Sequence, residues 1–208
     1  MIQHLKKSDR FEHSRLFDTM HKDRKRVFVD TLHWDVPHDG VREIDQYDGD
    51  CADYLILRDQ VSGAHLGSVR LLPTTGAHML ADVFPFLCEG TVPRGPNVRE
   101  ITRLVVSPDV PVRDRLMVRN MLGRAMIEFG LEHGVTKYTA VCEFSFLTQL
   151  LSSGWHIKPL GMPQLVDGSL IGALQIRLDR HSLALTNEAW RYDTPALRIL
   201  TCPPALVA

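Results

Sequence analysis

Twenty residues, Thr31 to Asp50, separate a helical pattern from the first strand pattern, and no regular element fits between them. The stretch is rich in Asp, Gly, His and Pro, so it forms an irregular loop; loops of this length are uncommon unless they carry function or move. It holds Leu32-His33-Trp34-Asp35-Val36-Pro37 and then Glu43-Ile44-Asp45-Gln46-Tyr47-Asp48. An aromatic ring can stack on a purine and two nearby carboxylates can hold a cation. The loop therefore suits a ligand that carries both.

Around the loop the pattern is mixed. Phe11 to Asp30 predicts one helix, with an interrupted apolar stripe of Phe11, Leu16, Met20, Val27 and Phe28. Arg24 and Phe28, four residues apart, share a face. Strands are expected at Asp53 to Arg58 and His65 to Leu72, joined through hairpin residues, and a short helical turn at Met79 to Leu87. A strand at Val98 to Val106, a helix from Val112 to His133 stopped by Gly134, and a strand at Lys137 to Cys142 follow. A helix from Phe144 to Ser153, extended pieces at Trp155 to Lys158 and Leu170 to Leu178, and a last helix from Leu178 to Trp190 complete the pattern. The fold class is α+β: a mostly antiparallel twisted sheet flanked by helices.

The chain has 208 residues, 44% of them hydrophobic, enough for a substantial core and most economically one domain, 1–208, with 191–208 a loose tail. A net charge of -1 gives no global electrostatic case for nucleic acid or an anionic membrane. No segment approaches the ~18 consecutive apolar residues of a membrane span, and the N-terminus lacks a signal-peptide core, so a cytoplasmic location is expected. Cys51, Cys88, Cys142 and Cys202 are scattered, which predicts free thiols. The histidines show no HExxH spacing and there is no GxSxG. Neither a metal nor a resident cofactor is expected.

Taken with Arg70-Leu71-Leu72-Pro73-Thr74-Thr75-Gly76 and Glu100-Ile101-Thr102-Arg103-Leu104, the ordered set Arg24, Phe28, Trp34, Asp45, Asp48, Arg70, Glu100 and Arg103 resembles the N-acyl-homoserine lactone synthases of bacterial quorum sensing. The likeness is strong from about Met20 to Ser107 and weaker through Gly154-Trp155 and Leu160-Gly161. It implies a GNAT-type fold, and transfer of an acyl group from an acyl carrier protein or coenzyme A thioester to S-adenosylmethionine. The methionine carboxylate then closes a lactone on its own γ-carbon and expels methylthioadenosine.

On that resemblance Glu100 is the candidate base, because the attacking amine must first lose a proton. Asp45 and Asp48 would hold the ammonium or the sulfonium, and Trp34 and Phe28 would pack on adenine or the methionine chain. Arg24 and Arg70 would take the ligand carboxylate or fix the acidic loop, since a guanidinium fork matches a carboxylate. Thr139 and Val141 would contact the acyl chain near its third carbon; Phe84 and Leu104 suit the lining of an acyl pocket and equally a place in the core. Glu100 and Arg103, three apart on a strand, would point to opposite faces unless a bulge intervenes.

Ordinary acetyl-coenzyme A enzymes of this fold carry a glycine-rich pyrophosphate loop after the central strand. The stretch here, Ser107 to Arg115, has no glycine. Arg113, Arg115 and Arg119 would instead form a landing face for an acidic carrier protein.

Blander readings stand beside these. Trp34 alone suits core packing, Asp45 and Asp48 alone are ordinary turn residues, and Glu100 with Arg103 suits a structural ion pair. Thr139 is an unremarked strand residue, and the three arginines suit a solvated helix face. At the level of function the alternatives are a GNAT acyltransferase for another amine and a non-catalytic S-adenosylmethionine sensor.

Overall fold

Short strands rich in Leu, Ile and Val alternate with amphipathic helices, and in a computed structural model, described here over residues 2–151, 155–184 and 200–201, they divide into two compact units. The first comprises residues 1–70, 103–125 and 196–208, the second 71–102 and 126–195.

In the first unit β1 (Ile2–Lys6) pairs antiparallel with β2 (Asp53–Arg58), from Ile2 against Leu57 to Lys6 against Asp53. Helix α1 (Ser14–Arg24) buries Leu16, Phe17, Met20, His21, Asp23 and Arg24, which recur at helical spacing. The single helix expected to Asp30 changes character at Lys25. Residues Lys25–Thr31 form a π-helix, and the Leu32 N–H reaches the Val27 carbonyl five residues back at 2.9 Å. Phe11, expected on the apolar stripe, lies outside α1 and is 94% exposed.

Strand β3 (His65–Pro73) begins in this unit, and β4 (Val98–Val106) ends in it. Gly67 marks where helix α3 (Val112–Glu132) lies on β3, since a Cβ there would meet Val118 Cγ1 at 2.8 Å and the Val105 carbonyl at 3.0 Å. β1, unforeseen from the sequence, buries Ile2 and Leu5 and also pairs in parallel with β9 (Leu200–Thr201).

In the second unit helix α2 (Met79–Asp82) and a 3-10 turn (Pro85–Leu87) replace the expected helical turn. The start of β4 runs parallel to β5 (Lys137–Glu143), with Glu100 beside Thr139. Strand β8 (Ser169–Arg177) pairs antiparallel with β5, with β6 (His156–Pro159) and with the unforeseen β7 (Gln164–Val166). The β7–β8 hairpin turns on Asp167 and Gly168, both at positive φ, as the Asp-Gly pair suggests. Helix α4 covers Phe144–Leu151; the expected end at Ser153, most of the last helix and Cys202 lie outside the described residues. Cys51, Cys88 and Cys142 are free thiols, as expected.

Candidate active site

The long loop is held by charge. Arg24, at the end of α1, donates through Nε to Glu43 and through both terminal nitrogens to Asp48, at 2.8 and 2.9 Å. Arg70 on β3 grips Asp45 at 2.6 and 2.9 Å and comes within 2.8 Å of Asp48. Arg103 on β4 reaches Glu43 at 2.9 Å and Asp45 at 2.8 Å. Three guanidiniums and three carboxylates balance, each side chain at most 5% exposed.

Burial alone would push the Asp45 and Asp48 carboxyls up. Hydrogen bonds and charge from Arg70 hold Asp45 below the usual carboxylate range against that burial, and Arg24 does the same, more strongly, for Asp48. Backbone donors add to this: the Asp45 N–H bonds Asp48 and the Tyr47 N–H bonds Asp45. The Tyr54 hydroxyl donates to Asp48 at 2.8 Å. His21 fixes the backbone of Glu43 from the other side, its Nδ1 lying 3.0 Å from the Glu43 carbonyl. Burial and the neighbouring Arg24 lower the His21 pKa to about 4.

Aromatic rings cap the arginines. The Arg103 guanidinium lies 5.4 Å from the Phe28 ring centre, and Phe28 in turn stacks on Trp34 at 5.1 Å and 13°. His33, just before Trp34, adopts a positive φ of 55°, and the Trp34 N–H donates to the Phe28 carbonyl at 2.8 Å. Trp34 remains 37% exposed.

The sequence thus located Arg24, Phe28, Trp34, Asp45, Asp48, Arg70 and Arg103 in one arrangement. Of the two readings of Arg24 and Arg70, the bonds found are those that fix the acidic loop. Asp45 and Asp48 likewise spend their charge on arginines. Glu43 was passed over although it opens the Glu43-x-Asp45-x-x-Asp48 spacing; it is fully buried and bridges Arg24 and Arg103.

Arg103 has a φ of 51° within β4, and the buried positions shift there from the even residues Val98 and Glu100 to the odd residues Arg103 and Val105. This is the local departure from regular strand that the spacing of Glu100 and Arg103 required.

In the second unit, Glu100 is fully buried and accepts the Met79 and Leu80 N–H groups at 2.8 and 2.7 Å, so that it closes the N-terminus of α2. Thr139, its cross-strand neighbour, is fully buried, and its hydroxyl has no hydrogen-bond partner among the described residues. Val141 and Phe84 pack against Leu80, Leu87 and Ala173. Leu104, in the first unit, is half-buried and outside that cluster.

The arginines after Pro111 are unequal. Arg115 turns back to the Val110 and Pro108 carbonyls at 3.0 and 3.1 Å, Arg113 is largely exposed beside Asp114, and Arg119 is half-buried. Among the described residues no cluster of His, Cys, Asp or Glu could hold a metal, and no helix is long and apolar enough to cross a membrane.

The fold is that of the GNAT acyltransferases. An N-acetyltransferase-like protein from Lactobacillus plantarum superposes with a TM-score of 0.56 over 86% of this chain and 99% of its own, at 16% identity. The autoinducer synthase family matches residues 7–185, and the chain belongs to it.

Isovaleryl-homoserine lactone synthase of Bradyrhizobium diazoefficiens is 32% identical over 172 residues, 79% of this chain and 74% of the relative. The structure of BjaI, described as a coenzyme A-dependent acyl-homoserine lactone synthase with S-adenosylmethionine and isopentyl-coenzyme A, matches with a TM-score of 0.85. It is 27% identical and covers 99% of this chain and 95% of its own.

Proposed function

We propose that this protein is an acyl-homoserine lactone synthase that draws its acyl group from coenzyme A. The amine of S-adenosylmethionine attacks the thioester carbonyl, an amide forms and the thiol leaves. The methionine carboxylate then attacks the γ-carbon, and the carbon–sulfur bond breaks to release methylthioadenosine. The observation that carries this reading is the buried arginine–carboxylate cluster under the Phe28–Trp34 stack, in a chain of the autoinducer synthase family.

In this reading the cluster acts chiefly as a frame. Its charges are mutually satisfied, so it holds the loop rigid and presents Trp34 to the adenine or the methionine chain. Glu100 serves as the proton acceptor. Val141 and Phe84 supply the apolar wall for the acyl chain, and the buried Thr139 hydroxyl suits an oxygen on it.

Two observations favour coenzyme A over a carrier protein. BjaI is a coenzyme A-dependent relative, and the basic residues offered for carrier docking are in part engaged within this chain. Arg115 binds loop carbonyls.

The test is mass spectrometry of products from the purified protein given S-adenosylmethionine and a panel of acyl-coenzyme A and acyl-carrier-protein donors. Lactone and methylthioadenosine are expected with coenzyme A thioesters. An acylated amine without methylthioadenosine would point to a different acyltransferase, and binding without any product to a sensor.

A further inference from the structure

A second buried polar chain lies beside the cluster in the first unit. His65 opens β3; its Nδ1 stands 2.7 Å from Asp23 Oδ2 and its Nε2 stands 3.0 Å from the Ser68 hydroxyl. Ionised Asp23 can only accept, so Nδ1 carries a proton and donates it. In the neutral ring Nε2 then accepts from Ser68.

These residue types form nucleophilic relays in hydrolases, but Ser68 is 1% exposed, which closes it to a substrate carbonyl. The consequence of this chain lies at its other end, at Asp23.

Asp23 immediately precedes Arg24, on the last turn of α1, where the α-helix passes into the π-helix. Its second oxygen takes Arg26 at 3.0 Å. Burial opposes its charge, yet hydrogen bonds from His65, Ser107 and Arg26 hold the carboxyl below the usual range.

The helix and the long loop are thus tied to the same strand. His65 clamps the helix through Asp23, and Arg70, five residues along β3, clamps the loop. Arg24 and Arg70 then converge on one oxygen, Asp48 Oδ1, each at 2.8 Å. Where α-type bonding gives way to π-type bonding decides how the following side chains are aimed. The Asp23–His65 bond pins the helix at that junction.

We infer that His65 is a positioning residue for the S-adenosylmethionine site: through Asp23 it fixes the helix turn from which Arg24 reaches Glu43 and Asp48. The inference rests on the reading of the cluster as that site.

The test compares the full-length wild type with His65→Leu and His65→Asn. Calorimetry gives the Kd for S-adenosylmethionine, and steady-state turnover gives its KM and kcat. His65→Leu cannot donate to Asp23. His65→Asn places an amide N–H2 near the position of Nδ1.

The expected result is a Kd and KM for S-adenosylmethionine raised on the order of 10-fold in His65→Leu, kcat within about twofold, and near wild-type values in His65→Asn. If His65→Leu does not fold, His65→Gln takes its place. Its amide lies one methylene further out, and it should bind more weakly than His65→Asn. A purely structural role would lower stability and leave Kd and KM unchanged; that result, or equal impairment of the Leu and Asn variants, overturns the inference. A wild type that binds S-adenosylmethionine but makes no lactone would defeat the proposed function alone. A wild type that does not bind it would defeat both.

Discussion

Glu100, the base proposed above, is also the group that closes the N-terminus of α2. Both the Met79 and the Leu80 N–H point at it, so Glu100→Gln offers a single acceptor oxygen to two donors and sets an amide N–H2 against the other. We expect a loss of about 1–2 kcal/mol in urea unfolding, together with turnover lowered by at least about 100-fold if Glu100 takes the amine proton. Full turnover alongside the stability loss would leave it a helix cap and nothing more. The side chains of the site were legible in the sequence as types in order. Their partners were not, because an aspartate that holds a substrate cation and one that holds Arg70 look the same in a string. The bond between Asp45 and Arg70 is visible only in the fold.

Among the elements, strands bounded by turn residues were the easiest to place. β2 and β4 fall within the expected limits, because hydrophobic runs ended by Gly, Pro or polar clusters leave little choice of boundary. The short β1, β7 and β9 were missed, since strands of two to five residues carry too little pattern and owe their form to a neighbour already in place. The π-helix escaped for a related reason: side-chain periodicity does not reveal whether a carbonyl is bonded four or five residues ahead. Packing between elements gives a direct test at Gly67. Gly67→Ala would set a methyl group 2.8 Å from Val118 and 3.0 Å from the Val105 carbonyl, and the backbone oxygen cannot rotate away. A loss of about 1–3 kcal/mol is expected in denaturant unfolding. An unchanged midpoint would show that α3 can lift from β3 without cost.

For the molecule as a whole, buried charge predicts how it fails in acid. His21 is held neutral when folded, with a pKa near 4 against 6.5, so its contribution is complete above about pH 6.5 and is lost as pH falls toward 4. That stage corresponds to about 3 kcal/mol. Asp45, Asp48 and Asp23 are also held low, so their contribution is present above the ordinary carboxylate range near ~4 and drains away below it. Melting temperature against pH should therefore fall in two stages, and His21→Gln should flatten the first while leaving the second. A single transition below pH ~4 in the wild type would show that His21 is not held neutral.

The sequence by itself determined the α+β class, the family and the identity of the charged residues, because local pattern and ordered motifs survive without coordinates. Tertiary structure alone decided that the acidic loop answers to three arginines, that Glu43 is among its anchors, and that Glu100 closes a helix. Those are contacts between residues tens of positions apart, and only folding brings a donor to its acceptor.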